Sequence, residues 1–249
     1  MPLACLLLLA ALSASTPAYA GAGIRTGIDA ERLAPYPELL RARERQRRLL
    51  RNLPAEAIRF EDTATTSRTY VSDLPPGLEN LTVESAEDVD AVLAALAPYL
   101  GLTSHDRFDH VLSGLEDMPA GTWLLLPTPN GHLVLNRPLI LLTDPDSGRL
   151  RGIDGIVEHG ARLPTEPPLP EADAVAAALR HVEQREAWAQ DEHGAYPVYV
   201  VGSPTCLIWQ VLLEPAEGRD LAPESEANMI FVLPDGSTTQ DRAGLRCPS

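Results

Sequence analysis

Between Trp123 and His159 the sequence runs apolar segment, turn, apolar segment, turn, apolar segment. The segments are Trp123 to Leu126, His132 to Thr143 and Arg149 to His159, separated by Pro127-Thr128-Pro129-Asn130-Gly131 and Asp144-Pro145-Asp146-Ser147-Gly148. Apolar runs of this length bounded by Asn-Gly and Asp-x-x-Gly signals read as consecutive antiparallel strands. A helix with Ala172, Val175, Ala176, Leu179 and Val182 at 3.6-residue spacing follows, and its apolar stripe needs a sheet to cover. Few folds other than a sheet backed by helices satisfy both demands. No residue pattern in this stretch carries chemistry.

Around it the punctuation is proline. The loop Arg162 to Glu171 holds Pro164, Pro167, Pro168 and Pro170, which makes it a stiff, extended connector. Upstream, Ser85 caps a helix with Asp88 three residues on, and Val89, Val92, Leu93, Leu96 and Leu100 form its stripe. Pro98 bends or ends that helix and Gly101 stops it. Further strands are expected at Arg107 to Leu115, Tyr196 to Val201, Leu207 to Leu213 and Met229 to Leu233, with a short one near Arg68 to Val71 in an otherwise extended connector. Residues 21 to 35 read as an unstructured lead-in. A helix follows over Pro37 to Leu53, with Leu39, Ala42, Gln46, Leu49 and Leu53 on one face. Between Arg41 and Arg51 six arginines stand against Glu44, a local charge of +5. The whole chain carries −15, so the remainder carries −20. Two readings of the helix are open: an arm for an acidic partner or anionic membrane surface, or a solvated helix lying on the acidic body of its own molecule.

Leu3 to Leu12 is wholly apolar and is followed by Ala18-Tyr19-Ala20, whose small residues suit a signal peptidase, so residues 1–20 read as a signal peptide. The expected location is periplasmic or extracellular. No later segment is long and apolar enough to span a membrane. Every one of the 20 basic residues is Arg, and so acidic a chain is a poor nucleic-acid binder. Removing the leader leaves Cys206 and Cys247, an even count that favours one disulfide in an exported protein.

The order of these elements resembles a known family. The helix 85 to 100 with Gly101-Leu102-Thr103, then Thr122-Trp123, Asn130-Gly131, Leu139-Ile140-Leu141-Leu142-Thr143-Asp144 and Gly152-Ile153-Asp154-Gly155, resembles the fungalysin/thermolysin-type propeptide domain. Pro170-Glu171-Ala172-Asp173-Ala174-Val175, Leu207-Ile208-Trp209-Gln210-Val211 and Pro234-Asp235-Gly236-Ser237-Thr238 resemble the PepSY domain that follows it in such zymogens. The resemblance covers roughly residues 60 to 240. Pro129 and Arg137-Pro138 depart from it, standing where the family has an aromatic and a Gly-Gly pair. It implies an α+β chain of two small domains, each an antiparallel sheet packed on a helix in the cystatin-like manner. It sets the first domain at 60–161 and the second at 162–249, after the Arg-rich helix and lead-in at 21–59. It moves the 171–188 helix into the second domain. The zinc peptidase domain of such zymogens has no counterpart before Ser249.

Patterns for catalysis were sought in turn. None of His105, His110, His132, His159, His181 and His193 forms the His-Glu-x-x-His pair of a zinc peptidase, and they read as ordinary surface histidines. Asp144 to Gly148 resembles the start of a calcium loop, but Gly155 stands where the closing Glu belongs, so it reads as a hairpin turn. Ser203 precedes a proline and lies on no nucleophile elbow. Trp123, Trp188 and Trp209 flank apolar runs and read as core. The expectation is therefore a protein without catalytic residues, cofactor or metal. It would act as a propeptide-like inhibitor or folding chaperone of a secreted metallopeptidase. The alternative is a cell-envelope protein holding a ligand in a curved sheet. An enzyme would instead require a cleft with two close, buried ionisable groups.

Overall fold

The computed structural model describes Ile28, 30–51, 57–114, 118–135, 137–182, 188–202, 204–216, 228–242 and 245–247. The expected leader, Ser203 and most of the expected acidic loop after Glu214 lie outside these residues. The fold is α+β with two sheets, and the chain divides into two compact units. One holds the chain to Gly131 together with Asn136–Arg162, the other His132–Leu135 and Leu163–Ser249.

In the first unit α1 (Ala30–Leu33) and α2 (Pro37–Leu50) precede β1 (Ile58–Asp62) and β2 (Ser67–Val71). Then come α3 (Ala86–Leu100), β3 (Phe108–Ser113), β4 (Thr122–Pro127), β6 (Leu139–Thr143) and β7 (Leu150–Glu158). The sheet order is β1-β2-β7-β6-β4-β3, antiparallel throughout. Helix α3 begins as its sequence demands: Ser85 Oγ accepts from the Asp88 amide while the Asp88 carboxylate accepts from the Ser85 amide. Pro98 is carried inside the helix, which ends at Gly101 with φ of 68°. Its stripe of Val89, Val92, Leu96 and Leu100 packs on Val71, Leu125, Leu139, Leu141, Ile153 and Val157 of the sheet. The lead-in is not without structure, because α1 buries Leu33 completely. β1 was hidden in the sequence: only Ile58 and Phe60 of its five residues are apolar and inward.

In the second unit α4 (Glu171–His181) is followed by β8 (Trp188–Val200), β9 (Cys206–Pro215), β10 (Asn228–Val232) and β11 (Thr238–Thr239), an antiparallel meander. Helix α4 stops seven residues short of Trp188, which instead opens β8. It buries Ala174, Ala177 and Ala178 against Trp209, Val211, Leu213, Ile230 and Val232, whereas Ala172 is exposed. Alanines impose no stripe of their own, so close approach to the sheet chose the face. The opposite sheet face packs Val198, Val200, Ile208 and Phe231 with Leu135 and Leu245.

The long segment His132 to Thr143 is not one strand. Leu133–Val134 form β5, which pairs parallel with Val198 and Tyr199 of β8, and β6 starts only at Leu139. Pro138 has no amide to lend a ladder, and Asn130 (φ 54°) with Gly131 (φ 82°) turns the chain just before β5.

The stiff loop is held in place by three side chains of its own unit. Tyr199 donates its hydroxyl to the Pro164 carbonyl at 2.5 Å, and the Trp209 indole donates to the Leu169 carbonyl at 2.8 Å. His132 Nε2 lies 3.1 Å from the Thr165 carbonyl.

Candidate functional site

The densest cluster of polar chemistry lies beneath α2 in the first unit. Arg43 is fully buried, against the expectation of a solvated arginine face. Its Nη1 donates to Thr69 Oγ1 at 2.7 Å and Gln46 Oε1 at 3.0 Å. Its Nη2 donates to Ser67 Oγ at 2.7 Å, the Arg68 carbonyl at 2.8 Å and Asp62 Oδ1 at 3.1 Å. Nε reaches the same Asp62 oxygen at 3.3 Å, and the guanidinium lies 4.8 Å from the Phe60 ring centroid. Only Arg offers five donors in a planar fork, so this pocket of hydroxyls, carbonyl and carboxylate fits Arg and not Lys. Ser67 adds its own hydroxyl bond to Asp62.

The local fold explains the placement. Leu39, Arg43, Gln46 and Leu50 recur at i, i+4, i+7 and i+11, so Arg43 shares the inward stripe of α2. On β2 the alternation sends Ser67, Thr69 and Val71 inward and leaves Arg68 and Tyr70 on the other face. Gln46 then links α2 to the end of α3 by donating to the Tyr99 carbonyl at 2.8 Å.

Thr69 carries the network onward. Its oxygen accepts from Arg43 and Gln46, so its single proton goes to His159 Nε2, 2.9 Å away. That leaves the other ring proton for Asp106, whose Oδ2 is 3.0 Å from His159 Nδ1. Asp106 also accepts from the Gly160 amide at 2.8 Å and the Thr103 amide and hydroxyl, each at 2.9 Å. Burial opposes ionisation of Asp106, but His159 and these donors outweigh it and hold its carboxyl below the usual carboxylate range.

Hydroxyl, imidazole and carboxylate thus stand in the order of a nucleophile, its base and an orienting group. Their exposure decides what the order can do. Thr69 and His159 are 0% exposed and the Asp106 side chain 2%, so no reacting atom faces solvent. The Thr69 oxygen is also committed to Arg43. The arrangement ties α2, β1, β2, the loop before β3 and the end of β7 to one another. His159 is accordingly no surface histidine.

A second charged set lies on the other face of β2. Arg68 pairs with Glu158 across the β2/β7 register, and Tyr70 donates to Glu61 Oε2 at 3.0 Å. Burial pushes the Glu158 carboxyl up to about 7 against the opposing pull of Arg68.

The remaining residues singled out in the sequence are dispersed. Cys206 and Cys247 form a disulfide with Cα atoms 5.7 Å apart, joining the start of β9 to the chain end. Asp144 Oδ1 accepts from the amides of Asp146 and Ser147 and from the Ser147 hydroxyl, the geometry of a hairpin turn. His105 bonds Asn130 and His181 bonds Thr238, both at the surface. Trp209 is 9% exposed, and Trp123 and Trp188 pack against the cores of their units. Among the described residues no group of three or more His, Cys, Asp or Glu could hold a metal ion, and no helix is long and apolar enough to cross a membrane.

Arg43 and His159 escaped sequence reading because six arginines in eleven residues look like one solvated face, and because His159 closes a strand beside a loop. The available signal was spacing: Arg43 falls between Leu39 and Gln46 on the inward stripe, and Ser67-x-Thr69 places two small polar residues on the inward side of a strand. Compared with known proteins, the chain matches no family model and no curated sequence.

Proposed function

We propose that this chain is a non-catalytic exported binding module, built like the propeptide region of secreted zinc metallopeptidases, that docks on such a peptidase as inhibitor or folding chaperone. The observation that carries the reading is the second unit: a helix followed by an antiparallel meander, α4 then β8 to β11, with the turn Pro234 to Ser237 before the last strand. That is the order the PepSY resemblance implies. The burial of Thr69, His159 and Asp106 favours binding over catalysis, since the groups that could react are spent on the core. The Cys206–Cys247 disulfide supports an oxidising, exported setting.

Docking would use sheet edges. Among the described residues, pairing on the outer side of β8 is confined to Val198 and Tyr199, so its first residues offer a strand edge to an extended peptide. The alternative, an envelope ligand-binding protein, calls for a deep apolar cavity. One cleft among the described residues, of about 390 Å³ beside Leu74, Asp144, Arg149 and Arg151, is open and polar, unlike such a cavity.

The test is an activity assay of secreted thermolysin-type zinc peptidases with the purified, leader-free protein at stoichiometric ratio, together with refolding of the denatured peptidase in its presence. Lost activity supports an inhibitor and raised refolding yield a chaperone. Neither effect, with no peptidase co-purifying from the native secretome, refutes the reading.

A further inference from the structure

Helix α2 and its C-cap residue Arg51 leave five arginines outside the buried network. Arg41, Arg45, Arg47, Arg48 and Arg51 are all exposed, while the same helix is fastened to its unit by Leu39, Ala42, Arg43 and Gln46. Arg41, Arg45 and Arg48 stack at i, i+4 and i+7, and Arg47 and Arg51 lie at i, i+4 beside them. Among the described residues none of the five makes an ion pair, and the only side-chain bond is from Arg41 Nε to the Pro37 carbonyl of its own helix. The helix thus packs on its own unit, as the second sequence reading had it, but not through ion pairs of these five arginines with described residues. Arg47, Arg48 and Arg51 sit where they offset the helix dipole, but Arg41 and Arg45 do not. Like charges at these spacings repel, and Glu44 is the one acid among them.

We infer that the exposed face of α2 is an electrostatic docking surface for anionic lipid headgroups. The face is the outside of a 14-residue helix, about 21 Å long and convex. A protein interface needs a desolvated apolar or aromatic centre, and among the described residues here the one exposed large apolar side chain is Leu49, 40% exposed. A phosphate-bearing plane needs only charge and planar donors, which arginine supplies in bidentate form. The acidic remainder of the molecule does not forbid this, because charges beyond about 8–10 Å are screened at physiological salt. The inference stands independently of the peptidase reading.

The experiment is co-sedimentation of the leader-free protein with vesicles of phosphatidylcholine alone and with vesicles containing phosphatidylglycerol. The expected result is partitioning onto phosphatidylglycerol vesicles only, weakened by raising salt. R41Q/R45Q/R48Q should lower the partition coefficient roughly hundredfold and R47Q/R51Q about 25-fold, at about fivefold per arginine. R180Q, at an exposed arginine of the second unit, should change nothing. Unchanged circular dichroism keeps loss of fold apart from loss of binding. Absence of partitioning at low salt, equal partitioning onto both vesicles, or indifference to the α2 substitutions overturns the inference. Binding to soluble polyglutamate without binding to vesicles also overturns it, replacing the lipid surface by an acidic protein.

Discussion

Replacing Arg43 with Met removes the centre of the buried network while keeping a long flexible side chain. Asp62, whose side chain is 1% exposed, is then left buried without its counter-ion, and the hydroxyls of Ser67 and Thr69 each lose a donor at 2.7 Å. Breaking a buried pair by removing one partner costs about 3–5 kcal/mol, since the other charge is left desolvated. At about 2–4 °C per kcal/mol for a chain of this size, the melting temperature should fall by roughly 6–20 °C. The double variant R43M/D62N removes the stranded charge as well, so its loss should fall short of the sum of the singles by about 2 kcal/mol or more. R43K keeps the charge but not the fork and should fall between wild type and R43M. Urea unfolding measures this in a W188F/W209F background, where Trp123 becomes the single tryptophan and reports on the first unit. A loss below about 1 kcal/mol for R43M, or strict additivity in the double variant, would refute the reasoning that the network holds α2 on its unit.

Two further outcomes follow from the same structure. The Glu158 carboxyl, pushed up to about 7, is protonated more readily folded than unfolded, so its contribution is complete below the unfolded carboxylate value and is lost as pH rises through about 7. Urea stability should therefore drop by on the order of 3 kcal/mol from pH 4.5 to 7.5 through this group, and E158Q should flatten the dependence; an unchanged slope in E158Q contradicts the assignment. C206S/C247S opens a loop of 41 residues and should cost on the order of 4 kcal/mol in the chain-entropy model, read from the fluorescence of Trp188 and Trp209 in the second unit; the same midpoint with and without the disulfide would discard that estimate.

Local code explains what could be read in the linear chain. Ser85 with Asp88 and Gly101 delimit α3 because caps and left-handed glycines act within a few residues. Asp144 to Gly148 turns the chain for the same reason, and the alternation of β2 was visible at Arg68 to Val71. The antiparallel pairing of β6 with β7 follows from the turn between them. What the sequence by itself determined was this: the α+β class, the boundaries and apolar stripe of α3, and the turn at Asp144 to Gly148.

Tertiary structure decided the rest, wherever two distant segments compete for one partner. Leu133–Val134 left the long apolar run for a parallel place beside β8, which no local pattern announces. Arg43 moved from an apparently solvated face into the core because Asp62, Ser67 and Thr69, 19 to 26 residues away, together offset the cost of burying its charge. His159 was placed by Thr69 and Asp106, 90 and 53 residues away along the chain. Helix propensity and strand alternation are short-range properties of the backbone, while the burial of a charge is a property of everything that surrounds it.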